Sequence, residues 1–515
     1  MAKRSEQTGR FDRFRTRLDL SRQMMQLIGA GALALIVLIG AVLALPRSSS
    51  RSSSSVGPEP ASSAPGAASG EGAAARATGS GSRRASSGRG AAVGSGVPGT
   101  TTSVSTPSRW VAAKSPGVTR STISVGVAYS SQAGAGDRAI GAAGAAPSYD
   151  TRDVYNVIID YANRHGGFAG RRMKALYYDY NTTTDTNTQD QSACAYWTQD
   201  NKVFAMRGVT NILNACAEKA GAIPFGAGSA VAATYRKFPH LIDPDAIRLD
   251  RLGQVTTVGL YRAGYFTGKL GIVTWDDPNY KAAIKQGYLP TMSTVHVTPA
   301  QIVYISVPQQ LGALGDTTAA VQSAVTKFKS LGIDHVIVQD GQAGVFGGGG
   351  LTLEWMDQAK SQQYYPRYGQ NVYNGPGSPI LPSDQMDHAI AIDQTDNDQK
   401  YDEGWHPNGA RDNCYKIEAE AGFPVSSNNS GDELVAGSAC DFVFFVQRLV
   451  NSVSLISNDS FIEAAGRLGT SFASSLVYGT KLIPGRRDGG DMVRTEEYFA
   501  SCSCLKYKGA PYYAD

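Results

Sequence analysis

Two stretches decide the fold: TISVGVAY at 122–129 and, after a Gly/Ala-rich loop, DTRDVYNVIIDYANRHGGFAGRRMKALYY at 150–178. In the first, Ile123, Val125 and Val127 alternate with small or polar residues, which is the period of a strand. In the second, Val154, Val157, Ile158, Tyr161 and Ala162 recur at helical spacing and give the segment one apolar face. Asp150 or Thr151 supplies the cap, Gly166-Gly167 stops the helix, and 173–178 returns to strand character. A strand, a helix and a second strand at this spacing predict a parallel pair with its crossover helix.

The same pattern recurs along the chain. Residues 203–206 read as a strand, 212–220 as a helix and 222–225 as a short strand. Asp250 reads as the cap of a helix running to Tyr261, with a strand at 269–275. Asp316 or Thr317 opens a helix whose Val321, Ala324, Val325, Phe328 and Leu331 share a face, Gly332 ends it, and HVIVQ at 335–339 is a buried strand. The fold class is therefore α/β, with doubly wound parallel sheets covered by helices. Residues 122–515 exceed one comfortable core, so two lobes are expected.

The preceding residues have a different composition. The whole chain of 515 residues carries a net charge of +4, but 1–121 hold 16 Lys and Arg against 5 Asp and Glu, leaving 32 against 39 beyond. An acidic body disfavours nucleic acid as a partner, since a phosphate-binding groove needs the opposite sign. Residues 27–45 are nineteen uncharged residues, enough for a helix to cross a bilayer core of about 30 Å. The cations before them keep 1–26 in the cytoplasm and place the body on the extracytoplasmic side. The run reads as an uncleaved anchor; the weak small-residue site at Val42-Leu43-Ala44 keeps cleavage as the other reading. Residues 46–121, rich in Ser, Gly and Ala, form a disordered linker.

All six cysteines, at 194, 216, 414, 440, 502 and 504, fall in the exported body, where an even count favours disulfides. Cys194 with Cys216 is the first pairing expected, on successive helices, and Cys414 with Cys440 the second. Cys502 and Cys504 either pair under strain or stay reduced. No CxxC or HExxH spacing points to a metal, and none is expected.

Ligands of such sheets bind beyond the C-terminal ends of the strands. Tyr129 and Ser131 follow the first strand, Thr210 and Asn211 the third, and Ala227, Gly228 and Ser229 the next. In the second half, Asp276, Asp277 and Tyr280 follow one strand, and Asp340 and Gln342 another. Each polar residue also reads as a helix cap; their concurrence at five strand ends predicts a binding cleft. Catalytic patterns are missing: 469–473 (GTSFA) lacks the last glycine of a nucleophile elbow, and there is no phosphate-binding GxxxxGK[ST]. The glycines at 347–350 read as a helix entrance. The chain is not expected to be an enzyme or to carry a cofactor.

From about residue 122 onward, the order of motifs resembles the type I periplasmic binding proteins, specifically the branched-chain amino acid (leucine/isoleucine/valine) group of ABC-transporter solute-binding proteins. The resemblance rests on Asn163–Gly170 as N-x-x-G-G-x-x-G, on 220–228 (AGAIPFGAG), and on Asp276 to Tyr280 after a strand. It implies two lobes joined by three crossovers: 122–241 with 394–475, and 242–393 with 476–515. It further implies that Thr210, Asn211, Ala227, Gly228 and Ser229 hold a ligand carboxylate, with Tyr280, Gln342 and Asn374 facing them. Around 373–376, where amino-acid binders present an acid for the ammonium, this chain has Asn374; Asp340, Asp276 and Asp277 are the acids available instead. The function implied is capture of a small polar ligand, an amino acid or a related amide or carboxylate, by hinge closure. The implied partner is an ABC permease; the alternative is a ligand-sensing ectodomain or surface scaffold.

Overall fold

A computed structural model describes residues 110–132, 147–181, 183–208, 210–226, 229–344, 348–395, 409–426 and 429–514. The expected cytoplasmic tail, the anchor at 27–45 and residues 46–109 of the expected linker lie outside them. Residues 110–121, also expected to be disordered linker, instead belong to the body, where Ala112–Ala113 pair with Leu455–Ile456 and Val111, Ala113 and Val118 pack on a core. Among the described residues no helix is long and apolar enough to cross a membrane.

In chain order the first elements are β1 (Ala112–Ala113), β2 (Thr122–Tyr129), α1 (Thr151–Arg164), β3 (Arg172–Asp179), α2 (Thr186–Ala195), β4 (Ala205–Arg207), α3 (Asn211–Ala220) and β5 (Ile223–Phe225). Strands β3-β2-β4-β5 form a four-stranded sheet, parallel throughout. Strand alternation divides its side chains between two cores. Ile123, Val125, Val127, Met173 and Ala205 pack on one side with α1, and Leu176, Met206 and Trp197 on the other. Gly126 is required for that second layer: a Cβ there would lie 2.7 Å from the Trp197 ring. The indole N–H donates to the Leu176 carbonyl at 2.9 Å.

The NxxGGxxG stretch is a turn device. The Asn163 amide bridges to Met173, donating to its carbonyl at 3.1 Å and accepting from its N–H at 2.8 Å. Gly166, Gly167 and Gly170 have positive φ of 97°, 60° and 79°, which L side chains rarely adopt. These residues set the return from α1 into β3 and contact no cleft.

Next come α4 (Ala232–Lys237), α5 (Leu249–Arg262), β6 (Leu270–Trp275), α6 (Pro278–Ala283), α7 (Leu289–Thr294), β7 (Gln301–Ile305), α8 (Leu314–Ser330), β8 (His335–Gln339), α9 (Gly350–Ser361), β9 (Arg367–Asn371), α10 (Ser383–Met386) and β10 (Ile390–Asp393). The chain then returns to the first lobe with α11 (Gly409–Glu420), α12 (Ser430–Ser452), β11 (Leu455–Ile456) and α13 (Asn458–Gly466). Buried Phe442, Val443, Phe445 and Val446 of α12 complete the core on the α1 side, and β11 pairs with β1. Finally β12 (Met492–Phe499), β13 (Cys504–Tyr507) and β14 (Tyr512–Tyr513) join the second sheet. Its order is β13-β12-β10-β9-β8-β6-β7, with β14 on β12; β6 to β10 are parallel and β12 is antiparallel.

Two helix starts differ from expectation. α5 begins after Arg248, and Asp250 sits within its first turn, accepting from the Ala232 N–H and the Arg248 side chain. α8 begins at Leu314, two residues before Asp316, because a 3-10 turn at Leu311–Ala313 feeds it.

The chain passes between the lobes three times, and the passages are bonded together. Asp243 N–H donates to the Arg487 carbonyl, and Gly489 N–H returns to Asp243. The Gln394 amide joins the first passage to the second through Ile247 and Asp245. Arg251 is buried against Asp488 at 2.9 Å, Arg248 reaches the same carboxylate at 3.3 Å, and Arg486 pairs with Asp491.

Disulfides join Cys194 to Cys216, Cys414 to Cys440 and Cys502 to Cys504. The first ties α2 to α3, and a crosslink over 22 residues stabilises by roughly 3 kcal/mol.

Candidate functional site

Where the C-terminal strand ends of the two lobes face each other lies a cavity of about 690 Å³, within the usual range of small-molecule pockets. From the first lobe it is lined by Tyr180, Thr186, Asn187, Asp190, Thr210, Asn211 and Ser229, and from the second by Asp276, Asp277, Asn279, Tyr280, Ser306, Gln309 and Gln342.

Thr210 caps α3, its hydroxyl accepting from Leu213 N–H at 3.1 Å. Asp277 caps α6 by accepting from Asn279 N–H at 2.8 Å. Both residues are caps and cavity walls at once, so the two readings of such positions coexist here. Tyr280 is buried at 1% exposure, and its hydroxyl donates to the Gln342 carbonyl at 3.0 Å. That contact needs glycine beside it, since a Cβ on Gly341 would lie 2.3 Å from the Tyr280 oxygen. Gln342 lines the cavity, with its Oε1 buried and unpartnered among the described residues. Asn211 and Ser229 line the wall as well. Ala227 and Gly228 lie outside the described residues.

Four expected site residues are elsewhere. Asn374 is buried beneath the second sheet's strand ends, where it donates to the Val338 carbonyl and Thr352 hydroxyl and accepts from Asn371 N–H. With its amide consumed in joining β8, β9 and α9, it does not line the cavity. Ser131 turns to Asp179, its hydroxyl donating at 2.6 Å, and Tyr129 stacks under the Arg152 guanidinium at 4.6 Å; neither lines the cavity. Asp340 is saturated: it accepts from Trp275, Gly341 N–H, and both the N–H and hydroxyl of Thr352. Burial pushes its pKa up to about 6 against those donors. It anchors the start of α9 and has no lone pair left for a ligand. Asp276 is paired with Lys281.

Sequence reasoning missed Tyr180, Thr186, Asn187, Asp190, Ser306 and Gln309. The signal was present, for β3 and β7 also end at the cleft, and the strand-end rule applied to them marks 180–190 and 306–309. Asp190 is 2% exposed and accepts from the Tyr180 hydroxyl at 2.9 Å. Burial raises its pKa, with Thr210 and Tyr180 hydrogen bonds working the other way. Across the mouth, Gln309 Oε1 accepts from the Thr186 hydroxyl at 2.5 Å and the Asn187 amide at 3.3 Å, and Thr186 N–H donates to the Gln309 carbonyl at 3.0 Å. These bonds fasten one lobe to the other.

Solved structures of ABC-transporter substrate-binding proteins align with the chain over 76 to 78% of its length. The chain has the fold of the type I periplasmic binding proteins. A branched-chain amino acid ABC transporter protein from Thermus thermophilus with bound valine aligns at TM-score 0.55 and 12% identity, over 78% of this chain and 97% of that one. A solute-binding protein from Rhodopseudomonas palustris in complex with 3,4-dihydroxybenzoic acid aligns at 0.54 and 14%, over 76% and 98%. A fatty acid substrate-binding protein from Thermomonospora curvata aligns at 0.53 and 14%, over 78% and 95%. No family model matches the sequence, and no curated protein is significantly similar to it. The binding-protein fold thus stands on shape, and its neighbours hold ligands of several chemical classes.

Proposed function

We propose that this protein is a membrane-anchored, extracytoplasmic solute-binding protein that captures a small polar ligand between its lobes and delivers it to an ABC permease. The observation that carries this reading is the cavity of about 690 Å³ walled by polar strand-end residues of both lobes. A ligand there is covered when the lobes close about the three passages, and closure is favoured to the extent that the ligand binds the closed form better. Asn211, Thr210 and Ser229 supply the first-lobe wall, and Asp277, Tyr280 and Gln342 the second. The apolar run at 27–45 would hold the body at the outer membrane face through the residues at 46–109.

The test is a thermal-shift screen of the full chain in detergent against amino acids, amides, amines and short carboxylates, followed by calorimetry. One ligand per chain, with a smaller radius of gyration when bound, is the expected result. Absence of binding across all classes refutes the reading. N-terminal sequencing of the membrane fraction should start at the initiating end; a start near Leu45 refutes the anchor.

A further inference from the structure

The cleft's hydrogen-bonding groups are unequally committed. The Thr186 hydroxyl and one N–H of the Asn187 amide donate to Gln309, and the Tyr280 hydroxyl donates to the Gln342 carbonyl. Thr210 accepts from Leu213 N–H and supports the Asp190 carboxylate. Acceptors remain: Asp190 accepts from the Tyr180 and Thr210 hydroxyls, Asp277 from Asn279 N–H at one oxygen, and Gln342 Oε1 is unpartnered among the described residues. Neutral donors remain too, on Asn211 and Ser229.

Charge distinguishes between the two kinds of ligand. Asp190, Asp276 and Asp277 line the cavity, and the described lining contains no Lys, Arg or His. Asp276 is answered by Lys281. Asp190 is not: it is 2% exposed with only neutral hydroxyls beside it. A carboxylate removed from water without a cation is costly, and the cost is recovered when a cation arrives with hydrogen bonds. Carboxylates on both walls of a low-dielectric cleft also favour an incoming positive charge.

Taking the cleft as a ligand site, as proposed above, we infer that its ligand carries a cationic amine or guanidinium, and that Asp190 of the first lobe is the specificity-determining residue that receives it. Asp277 adds attraction from the facing lobe. Ser229 and Asn211, which make no side-chain hydrogen bond among the described residues, can serve a neutral or carbonyl group at the ligand's other end. Ligands whose only polar group is a carboxylate, such as fatty acids and benzoates, are disfavoured, because the buried Asp190 would face them unpaired.

The experiment uses the full chain and size-matched probes: leucinamide, 1,5-diaminopentane and agmatine as cations, and 4-methylpentanoate and 4-hydroxybenzoate as anions. Calorimetry should show binding by at least one cation and by neither anion, and Asp190→Asn should weaken the cation at least tenfold. The asparagine can still accept from Tyr180. The wild-type panel decides the matter without relying on that variant. Binding of an anion but no cation overturns the inference while leaving ligand capture standing. Unchanged cation affinity in Asp190→Asn overturns Asp190's role. Binding by no probe of either class overturns both readings.

Discussion

Buried carboxylates at the lobe passages and at the cleft are treated in opposite ways. At the passages, Asp488 is 2% exposed and Asp491 1%, and each has a guanidinium against it, from Arg251 and Arg248 in the first case and Arg486 in the second. At the cleft, Asp190 is as deeply buried, yet only hydroxyls reach it. Both regions belong to one acidic body, so composition does not explain the contrast. Where the lobes must stay together the chain supplies its own counter-charge, and where a ligand is to enter it leaves that place to the ligand.

The largest effect expected from breaking this contrast is at the passages. Asp488→Ala strands Arg251 in a buried site, and loss of one partner of such a pair costs about 3–5 kcal/mol. Chemical denaturation should show it; a loss below about 1 kcal/mol would mean the passages do not depend on this pairing.

A control away from both regions sharpens the point. Glu418 of α11 is buried without a cation, and burial, then Asp432, pushes its pKa up to about 8. Its folded value lies above its unfolded one, so the folded state binds the extra proton, and stability falls as pH rises from about 4.5 to about 8. Glu418→Gln removes this penalty. Its unfolding free energy should match the wild type near pH 4 and exceed it increasingly toward pH 8, by on the order of a few kcal/mol at most, with the melting temperature rising in parallel. A constant gap across that window would refute the assignment.

Smaller changes probe the cleft walls. Thr210→Ala removes the cap on Leu213 N–H and should cost about 1 kcal/mol of apo stability; equal stability would show that the cap is idle. Gln309→Ala removes the two side-chain bonds of the fastening at the mouth and leaves the backbone bond from Thr186. It should lower stability by only about 0.5–1 kcal/mol but speed ligand release, read by stopped-flow. Unchanged release would mean the mouth bonds do not gate the cleft.

How much of this was legible varied with the range of the interaction. Local periodicity located β2, α1 and β8 closely, because Ile123, Val125 and Val127 or Val154, Ile158 and Ala162 fill a core next to their own neighbours in sequence. The pairing of Cys194 with Cys216 was legible for the same reason. Asn374 misled because a strand-end position resembles a ligand contact until Val338 and Thr352, which consume its amide, are seen. Asp340 misled similarly, its four donors coming from β6, its own loop and α9. Asp190 lay within the 180–190 stretch that follows β3, and what the sequence does not mark there is its burial against the Tyr180 and Thr210 hydroxyls.

The order in which the chain is written out has a consequence for its biogenesis. Strand β10 is flanked on one side by β9, but its other neighbour, β12, begins only at Met492, after the chain has built α11, α12 and α13 in the other lobe. Until Met492 leaves the ribosome, Ile390–Asp393 presents an open edge of unpaired N–H and carbonyl groups, the kind of edge that recruits foreign strands. The second sheet is therefore complete only after the helices that return to the first lobe have been synthesised. Any pause in synthesis between Asp393 and Met492 lengthens the exposure of β10, which places the aggregation hazard of the newborn chain in the lobe opposite the one then being written out.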